Sequence, residues 1–71
     1  MKRKMMVRVF DAQRRLQNAQ IRVYRYSDGK DYYSFITHTR TQDVTKEEAE
    51  WIIENWGMVD VTEQMKRDGW I

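Results

Sequence analysis

Apolar and polar side chains alternate at the start of the chain. Met5, Val7 and Val9 alternate with Met6, Arg8 and Phe10, the two-residue period of a strand, so a first strand is predicted from Met5 to Phe10. Asp11 to Asn18 breaks the period with helix formers between two capping residue types, which fits a short helix or a long hairpin connection; Leu16 is its anchor to the core. Residues 20 to 39 predict a hairpin around Ser27-Asp28-Gly29-Lys30. A two-residue Asp28-Gly29 loop would set Tyr24 against Tyr33 and scatter the apolar groups over both faces. A three-residue loop, with Gly29 left-handed in a G1 bulge, sets Arg25 against Asp31, Val23 against Tyr33 and Ile21 against Phe35. The second register gathers Ile21, Val23, Tyr33 and Phe35 on one face, and a slip by one residue would expose all four to water. The outer face then carries Arg22, Tyr24, Tyr26, Lys30, Tyr32, Ser34, Ile36 and His38.

The period changes to that of a helix after Thr45. Thr45 and Glu48 stand in the S/T-x-x-E capping arrangement, Val44 and Ala49 occupy the staple positions, and Gly57 stands where a left-handed stop is expected, so a helix is predicted over Lys46 to Trp56. Ala49, Ile52, Ile53 and Trp56 fall on one stripe at 100° per residue, which should close over the apolar face of the sheet. Trp51 projects from the other side, among Glu47, Glu50 and Glu54. A shorter helix is predicted from Val61 or Thr62 to Asp68, with Gly69 at its stop and Trp70 and Ile71 folding back on Met65. Asp43-Val44-Thr45 and Asp60-Val61-Thr62 both precede helical stretches, and we read this echo as reuse of a good helix start. The expected architecture is α+β: a three-stranded antiparallel sheet, one face covered by the first helix, with the short C-terminal helix completing the core.

At 71 residues the chain makes one domain with a small core, for which help from a partner or a second copy is a reasonable expectation. The absence of cysteine excludes disulfides and thiolate metal sites and leans towards the cytoplasm. Arg8 interrupts the N-terminal apolar run before it reaches signal-peptide or membrane-spanning length, so we expect a soluble, complete chain with a frayed basic N-terminus at residues 1 to 4. Charge divides the chain in two. Residues 1 to 40 hold ten Lys and Arg against three acids, whereas residues 41 to 71 hold three against eight. Such a division suits a polyanion on one surface and a basic partner on the other, or simply mutual attraction of the halves.

No residue set supports catalysis. His38 is the single histidine, in a Thr-rich strand end without a second histidine, a cysteine or a carboxylate pair. The glutamates of the first helix read as a solvated face, and the three glycines are scattered singly, unlike a phosphate-cradling loop. A non-enzymatic protein without cofactor or metal is expected.

Two constellations remain. Arg22, Tyr24, Tyr26, Lys30 and Tyr32, joined by Arg8 from the first strand, interleave cations with aromatic rings, as single-stranded nucleic acid requires. The same residue types also serve as ordinary cross-strand packing or as protein hot spots. Trp51 with Glu47, Glu50 and Glu54 suits a basic protein partner, unless Met65, Trp70 and Ile71 fold over the indole. Strands with a basic, aromatic face followed by Thr45-Lys46-Glu47-Glu48-Ala49-Glu50 opening a helix resemble the small sheet-and-helix arm-binding domain of phage-type integrases over residues 20 to 56. The resemblance implies an accessory or inhibitor from a phage or mobile element. The expected function is regulation or inhibition of a larger, nucleic-acid-handling machine by protein contact. The alternative is direct nucleic-acid binding by the basic sheet face.

Overall fold

The computed structural model describes residues 4–12 and 19–71. Its elements run β1 (Lys4–Ala12), β2 (Ala19–Tyr26), β3 (Asp31–Thr37), β4 (Thr41–Val44), α1 (Lys46–Trp56), β5 (Met58–Asp60) and α2 (Thr62–Arg67). The strands form one antiparallel sheet in the order β4-β3-β2-β1-β5.

The expected three-stranded sheet is therefore corrected to five strands. The two additions are its edges, and neither carries the alternation that marks a strand. Thr41-Gln42-Asp43-Val44 is polar at three of its four positions, and Met58–Asp60 is only three residues long. Both acquire strand geometry from the neighbour they pair with: Tyr33 to Ile36 for β4 and Phe10 to Ala12 for β5. The alternative left open for residues 11 to 18 divides differently. Asp11 and Ala12 extend β1, Ala19 opens β2, and residues 13–18, Leu16 included, lie outside the described residues.

The β2–β3 hairpin adopts the bulged register. Arg25 faces Asp31, Val23 faces Tyr33 and Ile21 faces Phe35. Gly29, at φ 84°, takes the left-handed conformation that the turn requires, and its N–H donates to the Tyr26 carbonyl at 2.9 Å. β3 ends at Thr37, so His38 sits exposed in the following turn rather than on the strand.

The inner face is built from Phe10, Ala12, Ala19, Ile21, Tyr33 and Phe35, with Met58 at one edge and Val44 at the other, and α1 lies over it. Ala49 and Ile52 are buried, Ile53 and Trp56 half-buried, and the Trp56 ring meets Phe35 edge-on at 5.5 Å. Both caps of α1 form as predicted: Thr45 Oγ1 accepts from Glu48 N–H at 3.1 Å, Glu48 Oε1 accepts from Thr45 N–H at 3.2 Å, and Gly57 is left-handed at φ 62°. α2 is tied to β1. The echo of the first helix start works differently here: the N-cap is Val61, which offers no side-chain cap bond, and Asp60 one residue before it binds Thr62 instead. Asp60 Oδ1 accepts from the Thr62 N–H at 2.9 Å and from the Thr62 hydroxyl, which frees the Thr62 oxygen to accept from the Val9 N–H at 3.1 Å. Val61 N–H donates to the Val9 carbonyl at 2.9 Å, and Arg8 Nη2 reaches Asp60 Oδ2 at 2.7 Å.

Partial burial alone would raise the Asp60 pKa, but the bonds from Thr62 and Arg8 outweigh it and hold the carboxyl at about 2. A depressed carboxylate contributes stability that is complete above its unfolded value and lost as the pH falls through its folded one. The window here runs from about 4 down to about 2. Asp60→Asn, which keeps an oxygen for the Thr62 N–H, is expected to melt below wild type at neutral pH, and the gap should close as the pH falls through that window. A gap that stays constant down to acid pH would show that the Asp60 charge does not hold the junction.

Candidate interaction surfaces

The sheet's register sorts side chains between its two faces, because residues paired across neighbouring strands project to the same side. On the side away from α1 the pairings set out four rows. Lys4 lies beside Tyr26; Met6 beside Tyr24 and Tyr32; Val9 beside Arg22, Ser34 and Asp43; Asp11 beside Gln20, Ile36 and Thr41. Lys30 joins the first row, its carbonyl accepting from the Tyr26 N–H at 3.0 Å across the bulge. Arg22, Tyr24, Tyr26, Lys30 and Tyr32 are thus brought onto one surface, the tyrosines and Lys30 at the end nearest the β2–β3 turn and Arg22 in the third row, which Asp43 closes at β4. The strand acids of this face, Asp11 and Asp43, belong to the two rows farthest from that turn.

Arg8 does not join them. β1 carries a bulge between Met6 and Arg8, so Met6 pairs with Tyr24 while Arg8 pairs with Val23 on the inner face. The extra residue, Val7, shifts everything after it to the opposite side, which strict alternation along the strand cannot reveal. Arg8 is then engaged by Asp60 and lies 4.9 Å over the Phe10 ring. Lys4, expected in a frayed terminus, takes the vacated role instead: it stands in β1 with its ammonium 4.5 Å from the Tyr24 ring centre. The two-residue spacing of Lys4 and Met6 ahead of the bulge, which puts both on one face, is the signal that could have placed it there.

Within the outer patch, Tyr26 and Tyr32 meet edge to face at 4.7 Å, and Tyr32 remains 46% exposed. Arg22 Nε donates to Gln20 Oε1 at 3.1 Å, which orients its guanidinium along the sheet. Neither Arg22 nor Lys30 forms an ion pair with a described residue. Arg25, on the opposite side, is held by Asp31 at 2.8 Å; that bond raises the arginine pKa and lowers the carboxylate's.

The second surface is the solvent side of α1. Glu47, Glu50, Trp51 and Glu54 follow the i, i+3, i+4, i+7 spacing and share one helix face. Trp51 is 62% exposed, and the C-terminal segment does not cap it. Trp70 N–H does fold back to the Met65 carbonyl at 2.9 Å, but its indole stays 68% exposed. The three glutamates are exposed and form no ion pair with a described residue. Glu50 also borders a cleft of about 520 Å³ between α1 and the sheet, floored by Val23 and Tyr33 and edged by Arg25, Asp31 and Lys46.

Among the described residues, no group of His, Asp or Glu gathers as a metal-binding set, and no helix is long and apolar enough to cross a membrane. Comparison with known proteins returned no matching family model, no similar curated protein and no similar solved structure.

Proposed function

We propose that this chain is a non-enzymatic binding protein that regulates or inhibits a larger, nucleic-acid-handling machine, and that it docks through the acidic face of α1 onto a basic surface of its partner. The observation that carries this reading is the exposed Trp51 indole amid three carboxylates without a described ion-pair partner. A large ring left in water on a helix already anchored through its other face contributes little to the fold. Buried against a partner, it is the residue type that most often dominates binding. Glu47, Glu50 and Glu54 supply the long-range attraction that orients the approach, and they discriminate against acidic surfaces.

The test is capture from source-cell lysate by the immobilised chain, with nuclease present to remove nucleic-acid bridges. Trp51→Ala is expected to weaken capture of the retained protein by about 2 kcal/mol, roughly thirtyfold, as a central aromatic anchor does. Charge reversal at Glu50 and Glu54 should slow association and reduce its salt dependence. Equal capture by wild type and Trp51→Ala would remove α1 as the docking surface.

A further inference from the structure

We propose that the turn-proximal end of the outer sheet face is a second binding site, for a short segment of single-stranded nucleic acid, with Lys4, Arg22 and Lys30 meeting phosphates and the Tyr24, Tyr26 and Tyr32 rings meeting bases. This site lies on the opposite side of the sheet from α1 and does not depend on the role given to Trp51.

Three features of the surface select this ligand. The first is the distribution of charge along the face, with the two lysine and tyrosine rows nearest the turn free of strand acids. All three cations lie within the three rows nearest the turn, while Asp43 ends the third row at β4 and Asp11 lies in the fourth. A polyanion crossing Lys4, Tyr26 and Lys30 therefore meets no carboxylate from the strands. The turn itself contributes one acid, Asp28, whose Oδ1 accepts from the Lys30 N–H at 2.9 Å.

The second feature is the placing of rings among those cations. Tyr24 and Tyr32 are direct neighbours across β2 and β3, Tyr26 is two residues further along β2, and Tyr32 meets Tyr26 edge to face. The patch spans three strands, about 10 Å at the usual strand spacing. That matches a sheet platform on which two or three unpaired bases stack. In a duplex the base faces are already stacked on one another, so these rings would be wasted on it; an unstructured acidic peptide would use the cations and leave the rings idle.

The third feature is the state of Lys4. Its ammonium rests 4.5 Å from the Tyr24 ring centre, a cation held by a π face. A base stacking on Tyr24 takes over that face and releases Lys4 to a phosphate of the same strand. One ring and one cation thus exchange an internal contact for two contacts to the ligand.

The experiment uses the full chain and a fluorescently labelled oligothymidine, read by anisotropy across a salt series. A duplex of the same length and polyglutamate serve as competitors. The single strand is expected to bind at low ionic strength with log K falling against log salt at a slope of about −2, as three phosphate contacts on a single strand imply. Lys30→Ala should flatten that slope by about 0.7. Tyr32→Ala should weaken binding by about tenfold, whereas Tyr32→Phe should retain it, since the ring and not the hydroxyl stacks. Trp51→Ala should leave oligothymidine binding unchanged, which keeps this site separable from the α1 face. Absence of binding at low salt overturns the proposal. So does binding that polyglutamate competes away as well as single strand does, or that Tyr32→Ala leaves intact, because the surface would then be a simple ion exchanger.

Discussion

Ile21→Ala is expected to leave most of the protein unfolded at room temperature. Ile21 is fully buried in the first half of β2, with Phe10 on one side, Phe35 on the other and the α1 stripe above it. Truncating such a side chain removes its transfer free energy and leaves a cavity that the two neighbouring strands, pinned by their hydrogen bonds, cannot close. The cost for a buried isoleucine is about 2 to 5 kcal/mol. A domain of this size holds only a few kcal/mol in total, so the loss is comparable with the whole stability. The control is Ile36→Ala. Ile36 is half-buried and pairs with Gln20 on the outer face, one position out of phase with Ile21. Its truncation is expected to cost clearly less and leave a cooperative melt. Thermal unfolding by circular dichroism decides between them, and equal shifts would mean that the hairpin register, and with it the outer sheet surface, is misassigned.

Trp56→Ala and Trp51→Ala should behave as opposites although both remove an indole from the same helix. Trp56 is half-buried, packs on the inner-face core and meets Phe35 edge-on, so its loss is expected to cost about 2 to 4 kcal/mol. For a domain this small that lowers the melting temperature by roughly 10 °C or more. Trp51 contributes its backbone carbonyl to Asn55 Nδ2 at 2.8 Å, and alanine keeps that bond. Its truncation is expected to move the melting temperature by no more than a few degrees, in line with exposed surface changes. Acrylamide quenching gives a second view. With Trp56 and Trp70 replaced by Phe and folding verified, Trp51 emission should be quenched readily. A shielded Trp51 whose truncation unfolds the monomer would make the acidic face a structural element and withdraw the docking proposal.

If both surfaces bind, the geometry allows them to do so together. α1 stands on one side of the sheet and the tyrosine rows on the other, so a protein on Trp51 and a strand on Tyr32 do not compete for the same space. The charge division along the sequence then has a spatial meaning. The hairpin, most of whose charge is basic, builds the outer patch, while the acidic α1 lies across the opposite face.

Wherever the information is local, the sequence alone determines the outcome. The α1 boundaries follow from a capping box and a left-handed glycine, each complete within a few residues, and the stripe that faces the sheet follows from the helical period. The β2–β3 register follows because one choice of turn gathers Ile21, Val23, Tyr33 and Phe35 on a single face and the other does not. Tertiary structure decided the rest. β4 and β5 are strands only because β3 and β1 offer them unpaired backbone groups, and polar segments of three or four residues carry no pattern of their own. The bulge at Val7 is a property of two strands together: it lies in the β1–β2 pairing, ahead of the segment of β1 that also pairs with β5, and it moves Arg8 from the outer face to Asp60. The exposure of Trp51 was open for the same reason, since it depended on where Trp70 and Ile71 came to rest. Local patterns set which side chains an element can present; contacts between residues distant in sequence set which of them face water.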